Sequence, residues 1–293
     1  SIAPDHFEGN NHIHLTLTKR DKQLSLNFAG SSDQSQGPIN CPLYGNGVKF
    51  INRLLTPFLL QLENDSEQRN SIRVNDGACK KLDIILPDTR TLVTPDFPAP
   101  TSLRLLTISS IISGFTELLF KASSGKTRVG FENLNTFSLF NKDGNNRLLL
   151  FRETIGSGTG ASYDSDGISS ILPLSGTGRI PIEIAENNYP LQIIREELTI
   201  DSGGPGKFRG GLGVTKEYLL QENSYISLVR NGDETFTSGK LGGQNGSKSE
   251  QSTSIKGTRK NSLPSIISSE NISEGEHLII QGSGGGGYGN PLR

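Results

Sequence analysis

Residues 201–213, DSGGPGKFRGGLG, concentrate more chemistry than any other stretch of the chain, with six glycines set among Asp201, Lys207 and Arg209. Glycines at 203, 204 and 206 let a backbone approach a ligand closely, and successive N–H groups in such a loop suit an anion. Arg209 offers a planar fork for carboxylate or phosphate, Lys207 adds a point charge, and Asp201 can orient either cation. A set of this kind would neutralise a phosphorylated intermediate or an oxyanion. The same residues fit a structural role equally well, in which an Asp201–Arg209 pair ties two sheets together. Further carboxylates, Glu153, Asp164, Asp166, Glu183 and Glu186, lie near the glycine loop at 156, 158 and 160. They have the chemistry of an acid, a base or a metal ligand, but acidic residues beside glycines more often cap loop amides, and capping is the favoured reading.

Other motifs are weaker. Ser124-Gly125-Lys126-Thr127 has the end of a phosphate-binding loop, yet Phe120 stands where that motif needs glycine, and the segment follows a helix pattern instead of preceding one. Gly282, Gly284 and Gly287 satisfy GxGxxG, but Asn290-Pro291 follow at once and leave no helix to supply N-terminal amides. His12 and His14 project from one face of a strand and offer two ligands at most, with only His6 and His277 elsewhere; a solvated polar face is the expected role, and no metal ligand is assigned. Cys41 and Cys79 lack CxxC spacing and read as reduced thiols.

The elements that must hold these residues follow from periodicity. Ile13, Leu15 and Leu17, then Leu24, Leu26 and Phe28, alternate on either side of a charged turn at 19–22 and predict a hairpin. Val48, Ile51, Leu54, Leu55, Phe58, Leu59 and Leu62 have helical spacing, with Pro57 expected to kink or break the helix. Residues 82–86 read as a strand. A second helix, capped by Thr101 or Ser102, carries Ile108, Ile111, Ile112, Phe115, Leu118, Leu119 and Ala122 on one face and ends at Gly125. Strands are expected over 136–140, 148–153, 182–184, 191–200 and 277–280, with 213–220 and 225–230 forming a hairpin. The fold class is therefore α+β and β-rich. The chain divides into an α+β region, 1–187, with two helices, and a glycine-rich β domain, 188–293.

Composition bounds the function. The 29 basic and 30 acidic residues give a net charge of −1, with no basic surface for a phosphate backbone or an anionic membrane, so nucleic acid and membrane partners are not expected. The apolar run 103–120 is broken by Thr107, Ser109, Ser110, Ser113, Thr116 and Glu117, which argues against a membrane span. No signal peptide is visible, and a cytoplasmic location is expected. Glycine accounts for 35 of 293 residues, roughly 12% against a usual ~7%. Methionine is absent, which suggests a processed, internal or edited chain.

Taken together, residues 201–213, the preceding Pro181-Ile182-Glu183 and Tyr189-Pro190, and the terminal Gly284-Gly285-Gly286-Gly287-Tyr288-Gly289-Asn290-Pro291 resemble the hydantoinase B/oxoprolinase family. Glu153-Thr154-Ile155-Gly156-Ser157-Gly158-Thr159-Gly160-Ala161, Asn75-Asp76-Gly77 and Gly37-Pro38-Ile39-Asn40-Cys41 extend the match in family order. The resemblance implies ATP-dependent opening of a five-membered cyclic amide of the hydantoin or 5-oxoproline type, or the related carboxylation of acetone- or acetophenone-like ketones. It also implies an oligomer with a hydantoinase A-type subunit or domain that binds ATP, so that ATP and a divalent metal belong to the complex and not to this chain alone. On that reading Asp201, Lys207, Arg209 and Glu153 are the catalytic candidates, and Gly203, Gly204, Gly206, Asn40 and Asp76 bind substrate. A non-catalytic assembly module is the third alternative. The chain resembles the C-terminal half to two-thirds of a B-type protein, and Leu172-Pro173-Leu174-Ser175-Gly176-Thr177-Gly178 departs from the His-x-His-Met-Thr-Asn-Thr run that members often carry there.

Overall fold

Strands β1 (Thr16–Arg20) and β2 (Gln23–Asn27) form the expected hairpin, with Leu17 opposite Leu26 and Asp21 at φ 51 in the turn. β3 (Leu82–Ile85) adds to β2 in parallel, so the sheet order is β1-β2-β3. The computed structural model describes residues 11–63, 67, 72, 75–130, 134–142, 146–171, 179–230, 237–255 and 258–292. Parallel pairing requires a crossover, and α1 (Asn46–Leu59) and the one-turn α2 (Asp76–Cys79) lie within it. Pro57 lies in the last turn of α1, two residues before the helix gives way to a 3-10 turn over Leu60–Leu62. Proline withholds the N–H that would bond the carbonyl four residues earlier, and the α-helix stops two residues after it.

The longest helix, α3 (Arg104–Ala122), packs Ile108, Ile111, Ile112, Phe115 and Leu119 into the core of this half of the chain. By length and composition it is apolar enough to cross a bilayer, yet ten of its residues are buried against the rest of the protein. Its start differs from the sequence expectation. Leu103, not Thr101 or Ser102, is the N-cap, without a side-chain cap, and the Leu103 N–H is satisfied by the Pro38 carbonyl at 2.9 Å. Its end is as expected: Gly125, at φ 88, donates its N–H to the Phe120 carbonyl at 2.8 Å.

The second half contains two antiparallel sheets. β4 (Asn135–Lys142), β5 (Leu148–Thr154), β8 (Ser224–Arg230) and β11 (Ile266–Ile272) pair in the order β11-β8-β4-β5. β6 (Leu191–Leu198), β7 (Val214–Leu220), β9 (Glu250–Ile255), β10 (Thr258–Ser262) and β12 (Glu276–Gln281) pair as β10-β9-β12-β7-β6. Their facing sides share one core, in which Phe137, Phe151, Ile226 and Leu228 of the first sheet meet Val214, Tyr218, Leu278 and Ile280 of the second. Ring centroids of Phe137 and Tyr218 lie 4.7 Å apart, and those of Phe151 and Tyr189 5.1 Å.

Two expectations fail here. β7 and β8 are not a hairpin, since each pairs within a different sheet; short linkers suggest hairpins, but both strands bury one face in a shared core, which a change of sheet also achieves. Residues 182–184 are not a strand but the start of helix α4 (Ile182–Asn188). Pro181 sits at its N-cap, Glu183 lies in the first turn and Ala185 is the residue it buries, a pattern suited to a helix start. The chain divides into compact units Ser1–Glu132 and Asn133–Arg293, with β4 and β5 in the second unit beside the strands they pair with or face.

Candidate functional site

β6 ends at Leu198, and the chain enters the 201–213 loop through Asp201, which holds φ 55. A non-glycine residue in that region is strained and is a reason to look for function. Asp201, Gly203, Pro205, Gly206 and Arg209 enclose a depression of about 380 Å³. Arg209 Nη2 lies 3.1 Å from Asp201 Oδ1, both side chains being well exposed. Asp166 Oδ1 accepts the Arg209 backbone N–H at 2.8 Å. Lys207 points back over the Phe208 ring, its Nζ 5.3 Å from the centroid. The structure thus brings Asp201, Arg209, Gly203 and Gly206 together, with Lys207 on the same loop.

The glycines serve packing more than anion binding. Gly204 donates its N–H to the Gly285 carbonyl at 2.8 Å and accepts from Gly210 N–H at 3.0 Å. Phe208 and Tyr288 exchange both backbone bonds, at 3.0 and 2.9 Å. The segment 282–289 runs among these loops, bonded to residues within 158–161, 204–211 and 240–247. A Cβ on Gly285 would stand 1.8 Å from the Thr159 carbonyl oxygen, so glycine at that position is what allows three backbone segments to touch. The amides after Glu153 have the same destiny: Ser157, Gly158 and Ala161 donate to Ile171, Ser283 and Gly286 carbonyls.

Glu153 is elsewhere, in the core between the sheets. Its Oε1 is 2.6 Å from Lys216 Nζ, and its Oε2 accepts from the Tyr218 hydroxyl at 2.7 Å. Lys216 also contacts Glu196 at 3.1 Å, and Glu196 in turn pairs with Arg179. The side chains of Lys216 and Glu153 are 2% and 5% exposed. Burial, reinforced by the Glu153 charge, pushes the Tyr218 phenol well above its ordinary value, so it stays a donor. Glu153 therefore sits between the Lys216 ammonium group and the Tyr218 phenol, and it is not among the residues that line the Asp201 depression. Sequence reasoning misses Lys216, Tyr218 and Glu196; the available signal is a lysine on the apolar face of β7, among Val214, Tyr218 and Leu220.

The remaining candidates lie in the first unit or in capping roles. Asn40 is fully buried, accepts from Ser35 N–H at 2.9 Å and donates to the Ser35, Gly37 and Pro100 carbonyls, which stitches the Gly37–Cys41 turn to the loop before α3. Asp76 opens α2 behind the Asn75 cap and pairs with Arg53 at 3.3 Å on the surface. Glu186 caps the Ile193 N–H at 2.8 Å. Burial pushes the Asp164 carboxyl up, but hydrogen bonds from Ser162 and Ser165 outweigh it and hold it below its usual range. Capping of a backbone amide thus accounts for Asp166 and Glu186, while Asp164 is held by the Ser162 and Ser165 hydroxyls. Ser123 Oγ accepts the Lys126 and Thr127 N–H groups, so that segment is a helix end. His12 bonds Ser32 and Gly30, and His277 bonds Glu217 at 2.7 Å. Burial pushes the Cys41 thiol up to about 12. Among the described residues no three His, Cys, Asp or Glu side chains could share a metal ion; residues 172–178 and His6 lie outside the described residues.

A sandwich laced by glycine segments, with an Arg–Asp rimmed loop, defines the class. The chain belongs to the hydantoinase B/oxoprolinase family, whose model matches residues 3–291. It is 30% identical to a Pseudomonas sp. (strain NS671) protein named as a subunit of a D-/L-hydantoinase, over 96% of this chain and 47% of that protein. The fold is shared with the ATP-dependent caprolactamase of Pseudomonas jessenii, at TM-score 0.76 and 20% identity over 100% of this chain and 51% of that one. It is shared also with an acetone carboxylase in a nucleotide-free structure, at TM-score 0.73 and 20% identity over 95% and 41%. The chain spans about half the length of the first of these relatives.

Proposed function

We propose that this chain is part of an ATP-dependent hydrolase that opens a five-membered cyclic amide together with an ATP-binding partner of the hydantoinase A type. The observation that carries the reading is the family match across residues 3–291. The names of relatives as single subunits of a hydantoinase and of a caprolactamase support a partner polypeptide. An amide carbonyl in a ring is stabilised by resonance, so activation at its oxygen eases attack by water. The contribution of this chain is electrostatic: Arg209, steadied by Asp201, holds developing negative charge at the depression, and Lys207 lies two residues away on the same loop to add to it. Glu153, held by Lys216 and Tyr218, ties β5 to β7 and serves the core.

The second reading, an assembly module that docks the ATP-binding partner, is favoured by the internal hydrogen bonding of the glycine amides. Reconstitution with the partner separates the two. With ATP present, 5-oxoproline and hydantoin opening are measured beside a ketone-plus-bicarbonate control, for the wild type, Arg209→Lys and Arg209→Ala. The hydrolase reading expects ring opening to fall at least about 100-fold in Arg209→Ala, the size of loss seen when one oxyanion donor is removed, with assembly intact. Full activity in Arg209→Ala would favour the module, and turnover of the ketone alone would favour a carboxylase.

A further inference from the structure

The first unit has a recess that the reading above leaves unused. Asp33 and Thr91 form an antiparallel bridge, and Gln34 donates its N–H to the Arg90 carbonyl at 2.8 Å. Arg90 N–H bonds the Thr94 carbonyl at 2.9 Å, and the Thr91 and Thr94 hydroxyls meet at 2.8 Å. This tight loop holds Arg90 at φ 69, a conformation that a non-glycine residue keeps only where its surroundings impose it. Asp33, Gln34, Arg90, Asp96 and Phe97 enclose a volume of about 430 Å³.

The Gln34 and Arg90 side chains are each fixed at one end and open at the other. Gln34 Oε1 accepts the Asp96 N–H at 2.8 Å, which leaves its Nε2 as an oriented donor. Arg90 uses Nε on Asp96 Oδ2 at 3.2 Å, which leaves the terminal nitrogens of the fork. The Asp33 carboxylate is exposed and, among the described residues, has no hydrogen-bond or ion-pair partner. Phe97 is 97% exposed, a whole aromatic face left in water beside these groups. Two carboxylates against one guanidinium leave the recess net negative, which disfavours a simple anion, while the open end of Arg90 disfavours a simple cation. A ligand carrying both signs satisfies all of them.

We propose that this recess binds an amino-acid zwitterion, with its ammonium on Asp33, its carboxylate on the terminal nitrogens of Arg90 and Nε2 of Gln34, and its methylenes on Phe97. Joined to the proposed function, on which this part rests, the recess points to a lactam as the ring that is opened. Water adds OH to the acyl carbon and H to the ring nitrogen as the C–N bond breaks, so a lactam gives one molecule with both amine and carboxyl groups. A hydantoin opened the same way gives an N-carbamoyl amino acid, which has no ammonium for Asp33.

Equilibrium dialysis on the full chain, with no ATP and no partner, tests this with 4-aminobutanoate, N-acetyl-4-aminobutanoate and N-carbamoylglycine. The expected result is saturable binding of 4-aminobutanoate, at least tenfold weaker binding of both blocked amines, and at least tenfold weaker binding of 4-aminobutanoate by Asp33→Asn. Phe97→Ala weakens it severalfold. Both side chains are exposed, so thermal melts should match the wild type and exclude misfolding as the cause. No saturable binding, equal binding of the blocked amines, or an unchanged Asp33→Asn overturns the proposal. Binding without ring opening in the reconstituted complex overturns the functional reading alone, and ring opening of a lactam without binding overturns this inference alone.

Discussion

Lys216 and Arg209 carry the same charge and each meets a carboxylate, but in opposite surroundings. The Lys216–Glu153 pair is buried, whereas the Arg209–Asp201 pair is exposed. Removing one partner of a buried pair strands the other charge without water, so Lys216→Ala should lower stability by about 3–5 kcal/mol. Asp201→Asn should change it by no more than about 1 kcal/mol. Urea unfolding of the two variants checks the contrast; similar midpoints would mean that Glu153 finds water in the core. Tyr218 adds a pH dependence. Its phenol titrates above the unfolded value because of burial and the Glu153 charge, so its contribution is full below roughly pH 10, the unfolded value, and is lost as the pH rises beyond it. Stability measured between about pH 9 and pH 11.5, a span that brackets that value, should fall less steeply in Tyr218→Phe than in the wild type; parallel slopes would assign the alkaline loss to other groups.

At the scale of elements, alternation and helical spacing reveal β2, α1 and α3 nearly to their ends, since each buries a regular face, whereas β1 starts at Thr16 and runs through Lys19 and Arg20 of the expected turn, with little of it buried. The glycine clusters at 156, 203 and 284 are visible as composition, but their purpose is not. Close approach of three backbones is a relation among distant segments, and no local pattern encodes which carbonyl each amide will find. Lys216 is hidden for a related reason: on β7 it looks like one polar residue in an alternating strand until the core face is known. The contrast between glycines makes this testable. Gly285→Ala puts a Cβ against the Thr159 backbone and should cost at least about 3 kcal/mol, as severe overpacking does. Gly275, at φ 78 with nothing within 4 Å of where a Cβ would stand, should cost only about 1–2 kcal/mol as alanine, the penalty of a left-handed residue. Thermal melts of both variants read the difference, and equal losses would remove the packing role assigned to segment 282–289.

For the whole molecule, the family blocks run through both units, with Asn40 and Asp76 in Ser1–Glu132 and Glu153, Asp201, Lys207 and Arg209 in Asn133–Arg293. The 187/188 boundary falls where helical periodicity fades, and it assumes that neighbouring strands pair with one another. The sheets are instead assembled across sequence: β4 lies between β5 and β8, and Glu153 of β5 meets Lys216 of β7. A cut at 187/188 would separate Phe137 and Phe151 from Tyr218 and leave β8 without its partner β4. A cut at 132/133 leaves that core whole, because every residue of the cluster lies on the C-terminal side. A fragment of residues 133–293 should therefore unfold cooperatively in urea, with a far-UV spectrum dominated by strand, as expected of a unit with its own core. A fragment of residues 188–293 should show neither property. Cooperative unfolding of the shorter fragment would mean that the five-stranded sheet needs no facing sheet, and would move the structural boundary back to where periodicity alone sets it.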